Sequence, residues 1–292
     1  MLCNLSKDEI KNNLLCETLK VLCGCLNLLG LPLYVVGATA RDFAMLLSRE
    51  ARPKRKTDDL DIAIAIPDWN MFDQVQEVLL ANHFKKLKPK QKFVYKGVDG
   101  KNDYEVDVVP FGEVAEEEII RWRPDGEPPM SVKCFEDVMG VSIDVCIDND
   151  FCVKMAPLYG QFLIKLDAWF DRRADKDAED MMYFLKKYYL IAIMTVTENS
   201  PVPDVVDQES ESLLIPGAQW IAYDVAKVLS TDHLQYYVNM ISSELLKKSN
   251  SLLLSHSMKY SDEKADSAFD IVVKVWSEVV RVFEAELKGR AS

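Results

Sequence analysis

Histidine is scarce in this chain: His83, His233 and His256 are all that occur in 292 residues. So small a supply argues against a histidine-built metal site or a Ser-His-Asp triad. No pair of CxxC motifs exists among the seven cysteines, Cys3, Cys16, Cys23, Cys25, Cys134, Cys146 and Cys152. Cys23 and Cys25 stand two apart, on different sides of a predicted helix, which is poor geometry for a shared metal. The odd count and the absence of an export signal lead us to expect free thiols in a reducing cytoplasm. Lys7, Asp8, Glu9 and Lys11 interrupt the place where the apolar core of a signal peptide would lie. No apolar run approaches the roughly 20 residues of a membrane helix, so no membrane partner is expected. Positive charge is also short, with 35 Lys and Arg against 47 Asp and Glu and a net charge of −12. That balance disfavours non-specific nucleic-acid binding by the whole surface. The chain also lacks a basic recognition helix for specific DNA.

Hydrophobic residues make up 49% and charged residues 28%, the proportions of a globular chain with a sizeable core. Ser6 followed by Glu9 forms a capping box, and Leu15, Leu19, Leu22, Leu26 and Leu29 recur at helical spacing. These predict one amphipathic helix over 5–29, ended by Gly30 and Pro32. Further helices are predicted at 40–48 and 70–82, and strands at 33–36 and 60–66. Segments 93–95 and 105–109 read as paired strands around an Asp99-Gly100 turn. Two more strands, 141–147 and 151–154, flank Asp148-Asn149-Asp150, and Glu116-Glu117-Glu118 reads as the solvent face of a helix. After Pro157 only helices are expected, at 158–171, 175–188, 218–229, 232–248 and 262–288, with a polar loop over 197–210. The fold class is therefore α+β, a mixed sheet flanked by helices in residues 1–155, followed by an all-helical region over 156–292.

The chemistry centres on Thr57-Asp58-Asp59-Leu60-Asp61-Ile62-Ala63-Ile64. In a strand, Asp59 and Asp61 project to one face, and adjacent carboxylates repel unless a cation lies between them. A hard divalent ion takes oxygen ligands and leaves positions for phosphate oxygens. The bland alternative is a solvated acidic strand start, which the apolar run 62–66 opposes. Asp107 shares a face with Glu105 on the later strand and becomes a third ligand if the two strands are neighbours. Upstream, Gly37 ends a strand and Thr39 opens a helix whose free N–H groups can receive phosphate. The basic stretches 49–56 and 85–92 read as loops. In the second, five lysines in eight residues offer a phosphate-backbone contact, with Phe93 and Tyr95 as stacking partners for an RNA acceptor.

Val35-Val36-Gly37-Ala38-Thr39-Ala40-Arg41-Asp42, taken with Asp59-Leu60-Asp61, resembles the nucleotidyltransferase superfamily of DNA polymerase β. The run Ala40-Arg41-Asp42 is similar to the head of CCA-adding enzymes. Lys165 through Arg172 and Arg173, then Lys176-Asp177-Ala178-Glu179-Asp180, is similar to a motif of AbiEii-type nucleotidyltransferases, the toxins of type IV toxin–antitoxin systems. The resemblance covers roughly residues 30–190, with Ala38 where glycine or serine is usual. It implies a nucleotidyltransferase fold and transfer of a nucleoside monophosphate from an NTP, with Mg²⁺ or Mn²⁺, to a hydroxyl of a tRNA 3′ end, a protein or a small molecule. A cognate antitoxin is the partner it implies. Asp59, Asp61 and Asp107 would hold the metal. Gly37, Thr39, Arg41 and Arg172 would contact the nucleotide, and Lys165, Asp177 and Asp180 would join the catalytic set. The alternative is the same fold without catalysis, acting as a nucleotide sensor or interaction module.

Overall fold

A computed structural model describes residues 2–50, 59–97 and 102–291. The basic residues Arg52, Lys54, Arg55 and Lys56, with Thr57 and Asp58, and the Asp99-Gly100 turn, lie outside the described residues. The chain divides into two compact units, Met1–Pro157 and Leu158–Ser292.

The first unit runs β1 (Leu2–Leu5), α1 (Lys7–Ile10), α2 (Asn13–Leu28), β2 (Tyr34–Val36), α3 (Gly37–Leu47), β3 (Asp59–Ala65) and α4 (Trp69–Ala81). It continues with β4 (Phe84–Lys86), β5 (Lys92–Lys96), β6 (Asp103–Phe111), β7 (Ile119–Ile120), β8 (Met130–Ser131), α5 (Phe135–Gly140), β9 (Ile143–Ile147) and β10 (Phe151–Met155). Eight strands form one mixed sheet in the order β1-β9-β10-β2-β3-β6-β5-β4. At its centre β3 lies parallel to β6 and antiparallel to β2. Leu60, Ile62, Val106 and Val108 are fully buried and alternate with the acidic positions of the same two strands. This alternation of period two gives the sheet one apolar face and one chemical face here.

The predicted helix over 5–29 is two helices. Ser6 and Glu9 do form the capping box, but it starts a single turn that ends at Lys11 in the left-handed region, φ 56°. Asn12 then caps α2, its side chain accepting from the Leu15 amide at 3.0 Å. Asn12, a good cap and a poor helix-interior residue, was the signal for this break. Gly30, at φ 70°, closes α2, with Leu31 N–H donating to Leu26 C=O and Gly30 N–H to Asn27 C=O. Residues 2–5, for which no strand was predicted, form the edge strand β1, parallel to β9. Glu116-Glu117-Glu118 is no helix: Glu117 and Glu118 both have positive φ, and Glu118 pairs with Lys133.

The expectation of seven free thiols is corrected at one pair. Cys146 and Cys152 face each other in register across the β9–β10 hairpin and are joined by a disulfide. They stand symmetrically about Asn149, a regularity the sequence shows once the hairpin is drawn. Cys3, Cys16, Cys23, Cys25 and Cys134 are not disulfide-bonded.

The second unit contains helices α6 (Leu158–Arg172), α7 (Asp175–Ile193), α8 (Leu214–Val228), α9 (Thr231–Leu246), α10 (Leu252–Lys259) and α11 (Ala265–Ala291). The eight-residue α10, capped by Ser251, was not anticipated, because it is too short to show helical periodicity. The broad apolar surface of α11 is covered within its own unit by α8, α9 and α10. Where α8 crosses α7, a Cβ on Gly217 would stand 1.8 Å from the Leu185 carbonyl oxygen, so only glycine permits that approach. Among the described residues no helix is long and apolar enough to cross a membrane.

Glu244 ties three segments of this unit together. Its carboxylate is buried and accepts from Arg173 at 2.9 Å, Lys247 at 2.6 Å and the Ser251 hydroxyl at 2.8 Å. Burial alone raises its pKa, but the hydrogen bonds from Lys247 and Ser251 outweigh that and hold it below the usual range. A depressed carboxyl stabilises the fold above the unfolded-state pKa, and that contribution is lost as pH falls through the folded-state value. We expect Glu244→Gln to cost about 2 kcal/mol at neutral pH in urea denaturation. The gap between wild type and variant should close as the pH is lowered through the carboxylate range.

Candidate functional site

The parallel register of β3 and β6 sets Asp59 opposite Glu105 and Asp61 opposite Asp107. Paired strands lie about 4.8 Å apart, so each couple is two acids side by side on one face. Like charges this close are tolerated only with a compensating cation or a bound proton. Asp61 is also the register partner of Val36, the last residue before α3.

Gly37 begins α3 at φ 63°, and a Cβ there would stand 2.1 Å from Asp61 Oδ2. The bare Cα is therefore what admits the Asp61 carboxylate to the start of the helix. Val36, the N-cap residue, gives no side-chain hydrogen bond, so the first-turn amides of α3 are not claimed by a cap. An uncapped helix start offers amide donors and the positive end of the dipole to an anion. Thr39 lies in this first turn but is 3% exposed, so the donors that remain for an anion are main-chain amides. Arg41 is also buried, and its guanidinium pairs with the neighbouring Asp42 at 3.1 Å.

Lys92 completes the cluster, and sequence reasoning missed it as a site residue. It opposes Asp107 across β5 and β6. Its ammonium donates to Glu105 Oε2 at 3.1 Å and stands 3.2 Å from Asp107 Oδ1. The second contact has the distance of an ion pair without the alignment of a hydrogen bond, and Asp107 Oδ1 is buried with no hydrogen-bond partner. Burial raises the Asp107 pKa, Lys92 opposes the rise, and Asp59 and Glu105 add to it. Burial lowers that of Lys92, but Glu105 and Asp107 together hold it above the ordinary value, so the ammonium stays charged. Among the described residues no three His, Cys, Asp or Glu side chains are gathered as a preformed metal-binding group. The acidic oxygens and the orphaned Asp107 Oδ1 nonetheless suit a hard divalent cation.

Two other lysines of the basic stretch have structural partners. Lys86 lies in β4 over the Phe93 ring at 4.3 Å, and Lys90 pairs with Asp125 and donates to the Glu127 carbonyl at 2.9 Å. Phe93 and Tyr95 are fully buried, so the expectation that they stack on RNA bases is overturned. They belong to the inward face of β5, with Tyr95 donating to Glu17 at 2.7 Å.

Lys165, Asp177, Asp180 and Arg172 meet one another inside the helical unit. Asp177 is fully buried and receives a two-pronged guanidinium from Arg172, at 2.7 and 2.6 Å. Lys165 stands 2.7 Å from Asp180 and 3.6 Å from Asp177. This network joins the end of α6 to the first turn of α7, where acidic side chains also face the positive end of the helix.

The two carboxylates should respond oppositely to neutralisation. The folded state holds a proton on Asp107 more tightly than the unfolded state does, so its ionised form costs stability at neutral pH. Asp107→Asn should leave the melting temperature unchanged or raise it. Asp177→Ala removes a fully buried carboxylate and the partner of Arg172, and should cost about 1–3 kcal/mol in chemical denaturation.

No protein-family model matches the chain and no curated protein matches it, so the reading of the site rests on its own residues.

Proposed function

We propose that the protein is a metal-dependent nucleotidyltransferase that moves a nucleoside monophosphate from an NTP to an acceptor hydroxyl. The observation that carries this reading is the placement of Asp61: beside Asp107 on one side and over the bare Cα of Gly37, at an uncapped helix start, on the other. Acidic oxygens for a cation and amide donors for a phosphate thus meet at one residue, which is the combination a metal-bound triphosphate requires.

In this reading Asp59, Asp61 and Asp107 would hold Mg²⁺ or Mn²⁺, and the amides at the start of α3 would hold the triphosphate. The bound cation supplies charge neutralisation and lowers the pKa of the attacking hydroxyl. The acceptor oxygen bonds to the α-phosphorus, the bond to the β-phosphate oxygen breaks, and pyrophosphate leaves. The hydroxyl proton passes to a carboxylate of the cluster. The helical unit's Lys165 and Asp180 pair with each other, and each is partly exposed. Asp177 serves the fold, and Arg172 serves it through Asp177. A tRNA 3′ end, a protein hydroxyl and a small molecule all remain acceptors consistent with this chemistry, and an antitoxin partner belongs to the same proposal.

Incubation with each α-labelled NTP, Mg²⁺ and total tRNA, or with the protein alone, tests the reading. Label should transfer from at least one NTP, and Asp61→Ala should lower the rate by at least about a hundredfold while the protein stays folded. Binding of NTP and Mg²⁺ without pyrophosphate release would reassign the protein as a nucleotide sensor.

A further inference from the structure

The Asp59, Asp61, Glu105 and Asp107 carboxylates share one stretch of sheet, and the sheet places an ammonium among them. Lys92 is the first residue of β5 and only 26% exposed, so it is held at the cluster and does not trail in solvent. Its hold is uneven. Glu105 receives a hydrogen bond, whereas buried Asp107 Oδ1 receives charge alone. An oxygen left in that state keeps the cost of desolvation without the compensating bond. Its exchange to a cation that coordinates it directly is correspondingly favourable, and the flexible four-carbon stem of lysine allows the ammonium to withdraw.

We propose that Lys92 is the resident counter-ion of Glu105 and Asp107: it neutralises this side of the cluster before a divalent cation arrives and competes with that cation for Asp107. Metal affinity at the site is then set by Lys92 as well as by its ligands. The proposal rests on the metal-dependent reading given above and adds a regulating residue to it. Two effects act in the same direction. The entering cation must displace an ion pair from Asp107, and it must approach a positive charge that remains nearby.

The test is calorimetric titration of the full chain with Mn²⁺ alone, without nucleotide, so that the readout is binding and not turnover. Lys92→Met should bind Mn²⁺ roughly tenfold more tightly than wild type, and Lys92→Arg, whose fork can grip a carboxylate with two hydrogen bonds, no more tightly than wild type. Lys92→Gln, with a neutral polar head, replaces the methionine variant if circular dichroism shows the latter unfolded. In an Asp107→Asn background the gain from Lys92→Met should shrink, because the shared partner is gone. Wild type and Lys92→Met binding Mn²⁺ with equal affinity, or the variant more weakly, would overturn the role of Lys92 and leave the metal reading standing. Absence of Mn²⁺ binding at millimolar concentration in both proteins would overturn the two together.

Discussion

Two carboxylates forced to be neighbours govern the first unit. The parallel hydrogen bonding of β3 to β6 leaves Asp61 and Asp107 no freedom to separate, because the same register buries Leu60, Ile62, Val106 and Val108 on the opposite face. A slip of one strand by one residue would relieve the repulsion and would also turn that strand's two apolar side chains toward the acidic face. Burial of the apolar set is thus what holds the acidic set together, and the electrostatic cost is met locally by Lys92. Gly37 contributes to the same end from the neighbouring strand by having no side chain where the Asp61 carboxylate lies.

The central strands and the longer helices were legible in the sequence because their patterns are long and governed by burial. The strand beginning at Asp59, the pairing of 93–95 with 105–109, and the all-helical character after Pro157 all follow from periodicity. What escaped was decided by single residues or by distant partners. Lys11 in a left-handed conformation divides one apparent helix into two, and the apolar stripe beyond it gives no hint of the break. β1 exists because β9, some 140 residues on, provides its hydrogen-bond partners, and four residues carry no period of their own. The pairing of Cys146 with Cys152 depends on hairpin register, which a count of cysteines does not contain.

The same distinction divides the site. Asp59, Asp61 and Asp107 were legible because alternation fixes which face a strand residue occupies. Lys92 was hidden in a basic stretch whose average character suggested a solvated loop, although its cross-strand partner is the half-buried Asp107. Charge density described the segment, whereas register assigned the residue. In the helical unit Asp177 and Asp180 were placed together in one set, but the depth of Asp177 and its two-pronged guanidinium emerge only when α6 is packed on α7. A buried, doubly paired aspartate is a fastening; the more exposed Lys165 and Asp180 keep some chemical freedom.

The disulfide between Cys146 and Cys152 bears on how the sheet comes apart. β1 is an edge strand attached to the sheet through β9 alone, and β9 is stapled to β10. Peeling that begins at the amino-terminal strand therefore meets a covalent barrier after one strand. The strands carrying the acidic cluster lie beyond it, on the side of the staple away from the fraying end.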